Sequence, residues 1–217
     1  WEKICDYFRI LDENSDRIEI ENLGKTTMGH PFIMAVISSP KNLSNVTRYK
    51  YIAKTLASGR IAEEEAERLA AEGKTIALVT CSMHASECGP TQMSPVLGYA
   101  MATDQSPSVR RILDNVIFLL IPSWNPDGNI LTTDWYRQNL GTPFVSAPMP
   151  WLYHYYVGHD NNRDAFMNTQ IETRYVNRIL YHDWYPQLFL DMHHMGAADA
   201  RLFLSPLYEP RHPSLDP

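Results

Sequence analysis

The stretch from Thr75 to Met101 constrains the fold of this chain more than any other part of the sequence. It begins with an apolar run of strand type, and after His84 and Glu87 the residues Gly89 and Pro90 open a helical pattern. A strand therefore carries a histidine and a glutamate into a turn. Imidazole nitrogen and carboxylate oxygen are both good zinc ligands, and two such side chains three residues apart can reach one ion. The stretch predicts two ligands of a metal site, which needs a third.

Histidines also end a second apolar run, from Gln187 to His194, so His193 and His194 are both candidates for the third ligand. Two further polar clusters, at residues 125–128 and 160–163, follow an apolar run and a long irregular segment. The first of them, Asn-Pro-Asp-Gly, has the composition of a tight turn. Because ligands of α/β proteins bind at the carboxyl ends of the strands, these clusters predict one polar rim on one sheet.

Strand-like and helix-like segments alternate along the chain, which predicts an α/β fold with a mixed, mostly parallel sheet and helices on both faces. The predicted strands are residues 17–23, 32–38, 75–82, 116–122 and a strand that begins at 188. The predicted helices are residues 1–11, 44–56, 61–72, 90–102, 107–113 and 166–183. Residues 129–160 are irregular and are predicted to form a long functional loop. No repeat or boundary divides the chain, so residues 1–217 are expected to form one domain.

The composition narrows the possible partners. The chain has 217 residues, 44% of them hydrophobic, as in a packed globular domain, and a net charge of −6. This charge, without any run rich in lysine and arginine, argues against a nucleic acid partner. No apolar stretch approaches the roughly 20 residues that span a bilayer, and the N-terminus lacks the pattern of a signal peptide. Cys81 and Cys88 flank His84 but are interpreted as ordinary thiols and not as zinc ligands.

The chain carries short motifs in a fixed order: GKTTMGHP, HASE, NPDG, WYR, DNNRD and DMH. In this order they resemble the motifs of the zinc carboxypeptidases of the carboxypeptidase A type, the M14 metallopeptidases, over essentially the whole chain. The resemblance implies a zinc metallopeptidase that hydrolyses a C-terminal peptide bond by means of zinc-activated water. It implies Zn²⁺ as cofactor, bound by His84, Glu87 and His193, with His194 as the rival third ligand. It also implies a secreted or periplasmic protein, because many bacterial members are exported.

The resemblance also suggests roles for residues around the zinc ligands. Asp160 stands where the family has an aspartate that orients the first zinc histidine. Asn162 and Arg163 resemble the pair that binds the terminal carboxylate of the substrate, a task that suits the planar guanidinium of arginine. Arg137 looks like the arginine that stabilises the oxyanion. Asp191 could orient a histidine in a similar way, but it has no specific match and its role stays open.

One departure from the family concerns the general base. The family uses a glutamate on a strand well downstream of the third ligand, and here the only glutamate after His193 is Glu209, beside two prolines. We do not assign the base to Glu209. The resemblance then implies that the chain is the N-terminal portion of a longer catalytic domain, with an incomplete sheet and a general base in a missing C-terminal segment.

Two alternative functions remain open at this stage. One is a zinc amidohydrolase of N-acyl amino acids with the same metal ligands, and the other is a non-catalytic, zinc-containing domain that recognises peptides. The expected partner is a peptide or an acyl-amino acid with a free carboxylate.

Overall fold

The computed structural model describes residues 1–195, which are built around a five-stranded mixed sheet with the strand order β1-β2-β4-β3-β5. The strands are β1 (Ile18–Lys25), β2 (Pro31–Ile37), β3 (Thr75–Cys81), β4 (Val116–Ile121) and β5 (Leu188–Met192). Strand β3 pairs in parallel with β4 and β5, whereas β2 is antiparallel to β1 and β4. Four of the five strands therefore point in the same direction, which confirms the mixed, mostly parallel sheet.

Strands β2 and β4 are apolar along their length because the centre of the sheet is buried on both faces. Alternate side chains of β2 enter two different cores: Phe32, Met34 and Val36 lie in one, and Ile33, Ala35 and Ile37 lie in the other. Strand β4 divides its side chains in the same manner, with Leu119 in the first core and Leu120 in the second. Each core needs its own layer of helices.

Helices supply both layers, as the sequence predicts. They are α1 (Glu2–Asn14), α2 (Pro40–Leu43), α3 (Val46–Ser58), α4 (Glu63–Glu72), α5 (Cys88–Thr103), α6 (Pro107–Asn115), α7 (Pro126–Asn139), α8 (Asp164–Met167) and α9 (Ile171–Arg178). A 3₁₀ turn, Asn161–Arg163, precedes α8, and a π-helical turn, Ile179–Asp183, continues α9. Phe8 of α1 and Leu113 of α6 pack in the second core, whereas Ala53 of α3 and Ile179 pack in the first.

Two local predictions are wrong. The segment predicted as a tight turn and the start of a loop is the first part of α7: the side chain of Asn125 accepts a hydrogen bond from the backbone N–H of Gly128 at 2.9 Å, and Pro126 occupies the first turn. Asparagine and proline favour turns and helix starts alike, and beyond its first turn α7 buries only Leu131, which leaves no clear helical period. The helix predicted over 166–183 is interrupted, because Asn168 adopts a left-handed conformation (φ +56°) that ends α8.

Strand β5 lies at an edge of the described sheet, and its residues Leu188, Phe189 and Leu190 are exposed. Within residues 1–195, no helix is both long enough and apolar enough to cross a membrane. Glu209, whose role was left unassigned, lies outside the described residues.

Candidate metal centre

The candidate ligands lie at one edge of the sheet because β3 and β5 are parallel neighbours. Cys81, the last residue of β3, is paired with Met192, the last residue of β5. His193 therefore leaves the sheet beside the turn that carries His84. Strand β4 also ends at this edge, since Ile121 is paired with Thr80 of β3. This is the polar rim that the positions of the sequence motifs predict.

The turn after β3 is held by Ser82, which is fully buried and has a left-handed backbone (φ +47°). Its hydroxyl donates to the carbonyl of Glu87 at 2.6 Å and accepts from the backbone N–H of Thr91 at 3.1 Å. The backbone N–H of Glu87 in turn donates to the carbonyl of His84 at 3.0 Å. These bonds close a compact turn that directs the side chains of His84 and Glu87 to the same side.

Three side chains converge at this edge. Nδ1 of His84 lies 3.1 Å from Oε1 of Glu87, and Nδ1 of His193 lies 3.0 Å from Oε2 of the same carboxylate. One donor atom from each of the three residues lies within 4.8 Å of the others. Two imidazoles and one carboxylate form a known protein ligand set for zinc, and three protein ligands leave a fourth position open. The donors and their spacing therefore fit a zinc ion.

Asp160 contacts the first histidine from the side opposite Glu87. Its Oδ1 lies 2.9 Å from Nε2 of His84 and accepts the backbone N–H of Asn162 at 2.8 Å. Burial raises the pKa of Asp160, but the hydrogen bonds from Asn162 and His84 outweigh it and lower the pKa overall. With a metal ion bound at Nδ1, an ionised Asp160 would keep the proton of His84 on Nε2.

The second histidine has an equivalent contact that the sequence left unassigned. Oδ2 of Asp191 lies 2.7 Å from Nε2 of His193. The only signal in the sequence is that Asp191 precedes His193 by two residues. Both histidines thus have a carboxylate at Nε2 and turn Nδ1 toward Glu87.

The rings of the adjacent residues His193 and His194 point in different directions. The backbone N–H of His194 donates to Oε2 of Glu87 at 3.0 Å, while its ring Nε2 accepts the backbone N–H of Gly89 at 3.0 Å. The ring of His194 is therefore directed at the start of α5, and the ring of His193 lies in the donor cluster. Burial raises the pKa of Glu87, yet the hydrogen bonds from His194 and His84 lower it overall and favour the ionised carboxylate.

The arginines suggested for substrate contacts lie at different distances from the donors. Arg163 is exposed in the 3₁₀ turn beside Asp160, and its guanidinium lies 4.0 Å from the Oδ2 of that residue. Asn162 is half-buried next to it. Arg137 lies exposed on the last turn of α7, 3.8 Å from Asp134. Among the described residues, no hydrogen bond or ion pair joins Arg137 to the donor cluster.

The start of α7 packs closely against the turn that carries His84. A Cβ atom at Gly128 would collide with the carbonyl oxygen of Tyr153, the amide of Asn125 and the methyl group of Ala85. Only glycine permits this approach of α7 to the turn of His84. Tyr153 then stacks on the His84 ring, with centroids 4.4 Å apart and planes 10° apart. The sequence gives no signal for Tyr153, because its segment has no periodic pattern.

An open cavity of about 600 Å³ lies beside the donor turn. Ser86, between the two donors of that turn, forms part of its wall. The rest is largely apolar and comes from α7 and the following loop, including Trp135, Tyr136, Trp151 and Leu152. A chain segment bound at the donors could therefore extend along an aromatic surface.

Comparison with known proteins identifies the family. The family model described as zinc carboxypeptidase matches residues 4–199. The chain belongs to the zinc carboxypeptidase family. This confirms the family that the motifs resemble. Members of this family use Zn²⁺, and the described residues contain a possible His-Glu-His site for it. No curated protein matches the chain.

Solved carboxypeptidases share the fold of this chain. Carboxypeptidase A from Helicoverpa armigera has a TM-score of 0.57 at 16% identity, over 90% of this chain and 46% of that one. A metallo-carboxypeptidase from Burkholderia cenocepacia has a TM-score of 0.59 at 15% identity, over 89% and 40% of the two chains. One from Pseudomonas aeruginosa has a TM-score of 0.53 at 16% identity, over 89% and 39%. The chain spans less than half the length of these proteins.

Proposed function

We propose that residues 1–217 form the metal-binding portion of one zinc metallocarboxypeptidase domain, which hydrolyses the C-terminal peptide bond of a peptide. The observation that carries this proposal is the convergence of His84, Glu87 and His193 on one point, beside the segment of Asn162 and Arg163. Among the described residues, this is the only group of histidine, cysteine and acidic side chains with the geometry of a three-ligand metal site. Membership of the family supports zinc as the ion and a peptide as the substrate.

The chemistry of the donors suits hydrolysis. A zinc ion bound by these three ligands supplies a Lewis acid that lowers the pKa of water and polarises a carbonyl group. Glu87 contributes one negative charge to the centre, and Asp160 keeps the proton of His84 on Nε2. The donors lie at the edge of the sheet where β3 and β5 end, and a peptide terminus can reach them there.

The free carboxylate of the substrate is assigned to Asn162 and Arg163. Among the described residues, the exposed guanidinium of Arg163 has only a long contact of 4.0 Å with Asp160, so two N–H groups on one edge of it are available for a bidentate pair with a carboxylate. Arg137 is proposed to stabilise the oxyanion. Because it lies exposed on α7 without a contact to the donors, this role requires that it moves or that the substrate brings the two together.

The family also supports a secreted or periplasmic location and a longer catalytic domain, both of which remain proposals. A general base is needed for efficient hydrolysis. In residues 1–195, three carboxylates contact the rings of His84 and His193, namely Glu87, Asp160 and Asp191. Each of them is occupied by holding a histidine ring. We therefore assign the base to a residue outside this group.

The engagement of all three carboxylates favours one second candidate, a zinc-containing domain that binds peptides without hydrolysing them. Turnover separates the candidates. The full-length protein, loaded with one equivalent of zinc, is incubated with an N-blocked peptide with a free C-terminus, its C-terminal amide and an N-acyl amino acid. Release of the C-terminal amino acid from the free acid, with little reaction of the amide, is the expected result.

The other outcomes contradict the proposal in distinct ways. Hydrolysis of the N-acyl amino acid alone indicates an amidohydrolase. Binding of the free-acid peptide without hydrolysis of any substrate indicates the recognition domain. The Glu87→Gln variant is the control for contaminating peptidases, because it keeps the shape of the side chain but removes the ligand charge.

A further inference from the structure

Asp191 holds the ring of His193 in the same manner as Asp160 holds the ring of His84. The Nε2 atoms of the two histidines lie 2.7 Å from Oδ2 of Asp191 and 2.9 Å from Oδ1 of Asp160. Their Nδ1 atoms both face Glu87, at 3.0 and 3.1 Å. The two halves of the centre therefore have the same order of groups: carboxylate, imidazole, shared carboxylate.

Asp191 is itself fixed by the sheet. It is paired with Thr80 of β3 in the parallel ladder between β3 and β5. The hydroxyl of Thr80, which is fully buried, donates to Oδ1 of Asp191 at 2.7 Å. Each oxygen of the carboxylate thus has its own partner, and the orientation of the strand is passed on to the ring of His193.

The contact favours one nitrogen of His193 as the metal ligand. When Nδ1 of a neutral imidazole binds a metal ion, its single proton lies on Nε2, where a carboxylate holds both the proton and the ring in place. His193 is partly exposed and follows the last residue of β5, so strand pairing does not fix its ring. Without Asp191 the ring could take the other tautomer or turn toward solvent.

We propose that Asp191 is a positioning residue of the metal centre, which keeps the proton of His193 on Nε2 and directs Nδ1 toward Glu87, with Thr80 as its anchor. This inference rests on the proposed zinc centre and adds to it a second oriented histidine. It gives a function to an aspartate that the motif pattern leaves without one.

The test is the affinity for zinc alone, measured on the full-length protein by competition with a chromophoric chelator. Asp191→Ala should weaken zinc binding by about 10–100-fold, the range that such supporting carboxylates contribute. Asp191→Asn should weaken it less, because the amide oxygen still accepts the Nε2 proton. Thr80→Val should act in the same direction as Asp191→Asn. Asp183→Ala, which removes an ion pair with Arg178 far from the centre, is the control and should bind zinc as the parent does.

A second readout separates positioning from general destabilisation. Nitrogen chemical shifts of His193 in the zinc-loaded protein should report zinc on Nδ1 and the proton on Nε2 in the parent, and a mixture of the two tautomers in Asp191→Ala. If the alanine variant does not fold, Asp191→Asn decides, since it keeps the volume of the side chain. A parent that binds no zinc overturns the proposed centre and this inference together. A parent that binds zinc, with Asp191 variants of equal affinity and unchanged tautomer, overturns this inference alone.

Discussion

Glu87 and His193 are separated by 106 residues in the sequence, yet Oε2 of one lies 3.0 Å from Nδ1 of the other. The contact depends on the parallel pairing of β3 and β5, which brings the two strand ends to the same edge. The other oxygen of Glu87 faces His84. Because a slip of one residue would reverse the side-chain faces of a strand, the register of this pair determines whether the three donors meet.

Arg163 should discriminate between a free carboxylate and an amide. Arg163 is exposed in the free protein, and loss of a charge-assisted pair that the bound peptide shields from water typically costs about 2–5 kcal/mol. The parent should therefore bind a free-acid peptide far more tightly than its amide, and Arg163→Gln should remove most of that difference. Calorimetric titration of the zinc-loaded protein with both peptides provides the measurement. Arg178→Gln, at an exposed arginine paired with Asp183, should leave the difference intact. Equal affinities for acid and amide in the parent would contradict the assigned role.

Gly128→Ala should destabilise the protein and weaken its zinc binding. The added methyl group collides with backbone and side-chain atoms of Tyr153, Asn125 and Ala85, which must move away from α7. Overpacking of this kind costs about 1–3 kcal/mol. Denaturant unfolding of the metal-free protein measures the loss. Gly158→Ala is the matched control, because a Cβ atom there meets no atom within 4 Å, and it should be close to neutral. Equal stabilities of the two variants would show that the contact at Gly128 is dispensable.

Glu172 should make stability depend on pH in a predictable direction. This buried carboxylate accepts the backbone N–H of Thr27 at 2.7 Å, and burial raises its pKa above the ordinary value of 4.5. The folded state then binds the proton more tightly than the unfolded state. The resulting stabilisation is complete below pH 4.5 and is lost as the pH rises through the native pKa.

The corresponding test uses Glu172→Gln, which can still accept the bond from Thr27. The free energy of unfolding of this variant should increase relative to that of the parent as the pH rises from 4 to 7, because the parent loses stability over this range. Denaturant titrations at several pH values measure this trend, and the exposed Glu64→Gln serves as control. A relative stability that falls over the same range would mean that burial does not dominate at Glu172.

The sequence allows prediction of the parts of the site that lie next to strand ends. His84 and Glu87 follow an apolar run directly, and the histidines at 193 and 194 end another, so both pairs are visible without a structure. The resemblance of the DMH motif favours His193 over His194, but the residues alone leave both open. The reason for the difference is a tertiary property, since the ring of His194 turns toward Gly89.

Other parts of the site could not be predicted for specific physical reasons. Tyr153 reaches His84 from an irregular segment, and only the close approach at Gly128 determines where that segment runs. The role of Asp191 depends on its register with Thr80 in the sheet. Helix α7 has little apolar periodicity, because the buried residues of its first turn are mostly polar or small. They belong to the Asn-Pro-Asp-Gly motif, which has the composition of a turn.

His84, Glu87 and His193 are expected to bind one zinc ion together. The zinc content of protein purified without added metal is measured by elemental analysis in the parent and in the variants His84→Ala, His193→Ala and His194→Ala. We expect about one zinc per chain in the parent and in His194→Ala, and much less in the other two variants. A full zinc content in His84→Ala and His193→Ala, with loss of zinc in His194→Ala, would contradict this assignment.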